Sequence, residues 1–181
     1  MDVFLAVFIG LAAGFVGTVS TGAGLITIPA LIFLGLPVQN AIGTSRVGAI
    51  GLVTSATIRF HRAGKVDWKL AKLLAPFAVA GGIIGPTVVT IIDNEAVFRA
   101  VVGVILLLSL PTLLIKGKGL KKSVVSAKQK ITGLFFYFFI ICFGGFFPGG
   151  VGALSVANST RNFGQTFITA NATDLAAWMV M

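Results

Sequence analysis

Charge is scarce in this sequence, acids scarcer still, and cysteine and histidine almost absent. Charged side chains make up 10% of its 181 residues. An ordinary soluble domain carries about 25%, so there is too little polar surface here to cover a water-soluble globule. The single cysteine, Cys142, excludes a disulfide-stapled secreted fold. It lies in an apolar, aromatic run and reads as an inert core thiol. The single histidine, His61, cannot make a metal centre, which needs three or four ligands. It stands beside Arg62 and reads as a solvated loop residue. The five acids form no close pair within one apolar segment, and no phosphate loop or dinucleotide fingerprint occurs. No enzyme activity, metal or cofactor is expected.

Apolar residues are what the chain has in abundance, 56% of the total. That excludes disorder and leaves an all-α, polytopic membrane protein. Apolar stretches cover 3–34, 41–58, 70–92, 96–115, 131–156 and 163–181. At about 20 residues per crossing these read as roughly six spans. The N-terminus has no basic leader and no cleavage site before a polar domain, so the first stretch reads as a retained span. It is 32 residues long. As one straight helix it would reach about 48 Å, against a hydrocarbon core of about 30 Å. Its middle, Gly17-Thr18-Val19-Ser20-Thr21-Gly22-Ala23-Gly24, is poor helix-forming sequence, and a break is expected there.

The net charge of +9 is concentrated. Eleven of the 14 Lys and Arg fall in two runs, 59–72 and 116–130, whereas the connection between the third and fourth stretches carries Asp93-Asn94-Glu95. By the positive-inside rule both basic runs and the N-terminus are cytoplasmic. Orientation accounts for the basic runs without a nucleic-acid partner, and the lipid bilayer is the surface the chain meets.

A repeat is visible. Gly22-Ala23-Gly24-Leu25-Ile26-Thr27-Ile28 recurs in altered form as Gly150-Val151-Gly152-Ala153-Leu154-Ser155-Val156, an offset of 128. Gly35, Ala41 and Thr44 match Gly164, Ala170 and Thr173 at an offset of 129. Each copy keeps one order: glycine break, apolar half-helix, turn, helix opening with Ala-x-x-Thr. Broken spans free backbone polar groups at membrane depth, which are tolerable only inside protein or along a cavity. Paired breaks in two halves point to a transporter's binding site. The division expected is 1–115 as a four-span unit, 116–130 as a basic cytoplasmic linker and 131–181 as an incomplete second unit. With four crossings per unit the two copies would run parallel. Re-entrant breaks would defeat that count. Gly10 and Gly14, and Gly81 and Gly85, have the Gly-x-x-x-Gly spacing of close helix packing.

Gly22-Ala23-Gly24, Leu34-Gly35-Leu36-Pro37, Ala41-Ile42-Gly43-Thr44-Ser45 and the loop Gly64-Lys65-Val66-Asp67-Trp68 resemble the sulfite exporter TauE/SafE family. The second glycine-rich segment and Ala170-x-x-Thr173 resemble that family's second repeat. The resemblance implies a bacterial inner-membrane permease of about eight helices that moves sulfite, organosulfonates or related small anions. Against that pattern the chain lacks a second basic loop and two spans, and it reads as C-terminally truncated. A non-transporting membrane subunit or an inactive fragment is therefore the alternative, and a homo-oligomer is one state open to it.

For an anion, the expected binding residues are Ser20, Thr21, Gly22 and Gly24 at the first break, and Thr44, Ser45 and Arg46 on the following helix. The second unit contributes Gly150, Gly152, Asn171 and Thr173. Hydroxyls donate to oxyanions, and helix N-termini add backbone N–H groups and a favourable dipole. Arg46 and Asp174 stand inside apolar segments, where charge is costly and marks function. Arg46 would face the cavity to bind an anion or pair with Asp174, or would snorkel to the outer interface. Asp174 is a candidate proton carrier or ion-pair partner.

Overall fold

The computed structural model describes residues 8, 10–11, 14–15, 23–91, 100, 125–147 and 150–180. Among these the ordered elements are six helices: α1 (Ala23–Phe33), α2 (Val38–Arg62), α3 (Trp68–Ile91), α4 (Ala127–Phe146), α5 (Val151–Asn162) and α6 (Phe167–Trp178). Three helices contain stretches long and apolar enough to cross a bilayer, Val38–Arg62, Trp68–Thr87 and Ala127–Phe146. The other three have 11 or 12 residues, about 17 Å of rise, or half a hydrocarbon core. The fourth expected span, 96–115, lies almost wholly outside the described residues.

Breaks and turns follow the local chemistry. α1 ends at Leu34-Gly35, where Gly35 takes a φ of +90° and its N–H bonds to the Ile32 carbonyl while that of Leu36 reaches Leu31. Only glycine takes this left-handed helix end without strain. Its partner by offset, Gly164, likewise has a positive φ, +64°, between α5 and α6. The repeat read from the sequence thus corresponds to two helical hairpins, α1–α2 and α5–α6, each a short helix followed by a left-handed glycine turn. The long stretch 131–156 is interrupted where expected: α4 stops at Phe146 and α5 starts at Val151 after Gly150, with φ +79°. The start of α4 is fixed by a capping box, in which Ser126 and Gln129 satisfy each other's backbone N–H groups.

The direction of the helices corrects one expectation. Phe77 stacks edge-on against Phe138, a Cβ on Gly81 would strike Ile141, and one on Gly85 would strike Gly145. Contacts that advance together along both chains make α3 and α4 parallel. Their starts, beside Lys65, Lys69 and Lys72 on one and Lys128 and Lys130 on the other, therefore share one end of the bundle. α2 finishes at that end, because only Ala63–Asp67 separate it from α3. The backbone N–H of Asp67 donates to Thr173 Oγ1 (3.0 Å), and the Gln165 amide donates to Asp67 Oδ2 (2.9 Å). So α6 begins where α2 ends, and the two glycine turns lie at opposite ends of the bundle. The hairpins are inverted, not parallel. α5 explains this: Val151 packs on Gly144 and Asn162 on Gly133, so the short helix doubles back along α4 and does not carry the chain across. That re-entrant step changes the parity of the crossings.

The glycine spacings separate. Gly81, Gly85 and Gly145 meet backbone to backbone, the close approach their spacing predicts. Gly10 and Gly14 have no described atom within 4 Å of an added Cβ and border a cavity instead. α3 runs unbroken through Pro76 and Pro86.

Candidate functional site

α2 crosses the end of α4 at Arg46. Its Nη2 donates to the carbonyl of Gly145 and, at 3.4 Å, to that of Gly144. The sequence explains why those carbonyls need a donor. In a continuing helix the Gly144 carbonyl would accept from the N–H of residue 148, but residue 148 is proline and has none. A cation at a helix C-terminus also meets the negative end of the backbone dipole. Phe146 and Phe147, just beyond, pack with Ile28, Val38, Ala41 and Ile42 of the α1–α2 hairpin. The broken end of α4 is thus held by α2 on both polar and apolar sides.

Beside this contact lies a cavity of about 640 Å³, within the range of small-ligand sites. Gly24 and Thr27 of α1, Thr44, Ser45 and Arg46 of α2, and Gly144 of α4 line it, together with Val151, Leu175 and Trp178 of the second hairpin. The hydroxyl of Thr27 also donates to the carbonyl of Ala23 (2.9 Å). A guanidinium carries five N–H donors, and both recorded bonds use Nη2.

Four of the expected site residues therefore come together: Gly24, Thr44, Ser45 and Arg46. Ser20, Thr21 and Gly22 lie outside the described residues. The second-unit residues go elsewhere. Gly150 caps α5 and Gly152 is buried in its first turn. Thr173 is fully buried and accepts from the Asp67 N–H. Asn171 is buried with its Oδ1 unpartnered. Inversion accounts for Thr173, because α6 starts at the basic end of the bundle, where the Asp67 N–H meets its hydroxyl. Of the alternatives for Arg46, the pair with Asp174 does not form: each has other partners. Asp174 accepts from Ser155 Oγ (2.7 Å) and Ser159 Oγ (3.0 Å), and among the described residues no cation joins it.

Residues given no site role by the sequence complete the picture. Asp67 caps α3 through Leu70 N (3.1 Å) while holding Gln165 and Thr173, so the Gly-x-Val-Asp-Trp loop joins the two hairpins. The Trp68 indole N–H donates to His61 Nδ1 (3.1 Å), which gives the exposed histidine a structural partner. Ser155 and Ser159 are fully buried. Their spacing of four, opposite an acid in an apolar helix, is the signal that would have found them.

The family model for sulfite exporter TauE/SafE matches residues 6–181. The chain is similar to the probable membrane transporter protein ORF9 of Sinorhizobium, 31% identical over 154 residues, covering 82% of this chain and 54% of that protein. It is similar to a probable membrane transporter protein of Haemophilus influenzae, 30% identical over 144 residues, covering 80% and 55%. The probable membrane transporter protein YfcA of Escherichia coli K12 is 34% identical over 88 residues, covering 49% and 33%. The chain spans about half the length of the first two relatives. No solved structure matches it.

Proposed function

The chain belongs to the sulfite exporter TauE/SafE family of membrane transporters, and on that premise we propose that it is a permease subunit for a small sulfur oxyanion, sulfite or an organosulfonate. The observation that carries this is the cavity beside Arg46, where a guanidinium, the hydroxyl residues Thr27, Thr44 and Ser45 and a half-helix line one space between inverted hairpins. A fixed positive charge with neutral donors around it suits a compact anion whose oxygens accept several hydrogen bonds. Rocking of one hairpin against the other would expose the site to each side in turn, as inverted repeats do in other transporters. Residues 1–115 and 131–181 form the two units, joined by the cytoplasmic linker 116–130. The basic runs face the cytoplasm across a bacterial inner membrane. The anion passes through chemically unchanged, so no cofactor enters.

Proteoliposomes test this with labelled sulfite, an organosulfonate and sulfate. Uptake of sulfite or the sulfonate above protein-free vesicles is the expected result. Uptake by a full-length relative but not by this chain would overturn the permease reading for the chain and favour a non-transporting component.

A further inference from the structure

The α5–α6 hairpin holds a carboxyl group that the anion cavity leaves unused. Asp174 is 1% exposed, and its two oxygens accept only from neutral hydroxyls, Ser155 and Ser159. One turn apart on α5, both serines reach the same point on α6. Every element packed around Asp174 lacks a described cation for it. The buried residues of α3 include Leu70, Leu74 and Ala78, all apolar, and Tyr137 of α4 is a neutral phenol. On α2, Ala56 and Thr57 are buried, and Arg46 is bonded to the carbonyls of α4. On α6 itself the neighbours are Asn171 and Thr173. Arg161, Lys69 and Lys72 are exposed.

The repeat shows what this cluster replaces. By the two offsets Asp174 corresponds to Ser45, Ser155 to Thr27 and Ser159 to Leu31. Ser45 and Thr27 line the anion cavity. The same positions are thus neutral and open in the first hairpin, acidic and closed in the second. The cluster nevertheless adjoins the cavity: Leu175, next along the chain, and Val151, one turn before Ser155, form part of its wall.

We propose that Asp174, Ser155 and Ser159 form a proton-binding site behind the wall of the anion cavity, separate from the anion's own site. Each carboxylate oxygen already has its own serine hydroxyl at hydrogen-bond distance, and these four oxygens fall short of the six or more that a calcium ion takes around it. A serine hydroxyl both donates and accepts and rotates freely between the two. The cluster can therefore hold a carboxylate, with both serines donating, or a carboxylic acid, with the acid O–H donating to a serine oxygen, without moving a heavy atom. Protonation adds one proton from water to a carboxylate oxygen when the wall formed by Val151 and Leu175 parts, and deprotonation returns it to water by the same route. Asp174 is the proton carrier, and the serines position it. The role of this site in driving transport rests on the permease reading; its proton binding does not.

Infrared difference spectroscopy of the chain in lipid nanodiscs, with no anion present, tests it. On acidification a protonated-carboxyl band is expected to appear, to vanish in Asp174→Asn, and to shift in frequency and midpoint in Ser155→Ala and Ser159→Ala. Each of those variants is first checked for unchanged helicity. An identical band in Asp174→Asn and the parent chain would overturn the proposal, as would serine variants that leave the band unmoved. If Asp174→Asn fails to fold, the serine shifts alone decide. Loss of anion uptake with this titration intact would count against the permease reading only.

Discussion

An Arg46→Gln variant is expected to bind sulfite or an organosulfonate roughly ten- to a hundredfold more weakly than the parent chain. A hydrogen bond to a charged group is worth about 1.5–3 kcal/mol, and each 1.4 kcal/mol is about tenfold in affinity. Glutamine removes the positive charge and the fork of donors while filling similar space. It also withdraws the donor from Gly144, whose carbonyl Pro148 leaves without a helical partner. The variant should therefore show both weaker binding and a looser α4 end. Arg46→Lys separates the two effects. It keeps the charge at the cavity but loses the planar guanidinium that spans two carbonyls, so affinity should fall less than in Arg46→Gln. Calorimetric titration in nanodiscs reads the affinities. Equal affinity in all three proteins would remove Arg46 from the anion site and leave it a helix cap.

Gly85→Val is expected to prevent α3 and α4 from packing. The added Cβ would coincide with the backbone of Gly145, not with the tip of a movable side chain. Overpacking a core usually costs about 1–3 kcal/mol. A backbone clash at a crossing of two spans lies at the top of that range, because the helices themselves must separate. Gly43→Ala is the matched control. Nothing described stands within 4 Å of its Cβ position, and alanine is the better helix former by up to about 1 kcal/mol. Thermal unfolding in detergent should show a large loss for the first and none for the second. Comparable melting of the two would mean that α3 and α4 do not meet at Gly81, Gly85 and Gly145.

Much of this was legible in the sequence because it depends on local chemistry. The break at Gly150, the left-handed turns at Gly35 and Gly164 and the close packing at Gly81 and Gly85 all follow from glycine's missing Cβ, whereas the break expected over 17–24 falls mostly outside the described residues. Arg46 stood out because charge in an apolar helix is costly wherever it points. Orientation was not legible. Counting crossings assigns one to each long apolar segment, and nothing in 131–156 distinguishes a helix that continues across from one that doubles back. From that single ambiguity came the parallel repeats, the placing of Asn171 and Thr173 at the anion site, and the option of pairing Arg46 with Asp174. The Asp67 junction was hidden for a different reason. Its partners, Gln165 and Thr173, are about a hundred residues away in the chain, and no periodicity connects them.

Everything proposed for the cavity depends on the inverted hairpins, and thiol labelling tests their orientation directly. Cys142 is the one cysteine, so Cys142→Ser gives a clean background for Gln39→Cys at the start of α2 and Arg161→Cys near the end of α5, both exposed positions. With a membrane-impermeant maleimide on intact cells, Gln39→Cys should label from outside, and Arg161→Cys only after the membrane is opened. Labelling of both from the same side would contradict the inversion and, with it, the site between the hairpins.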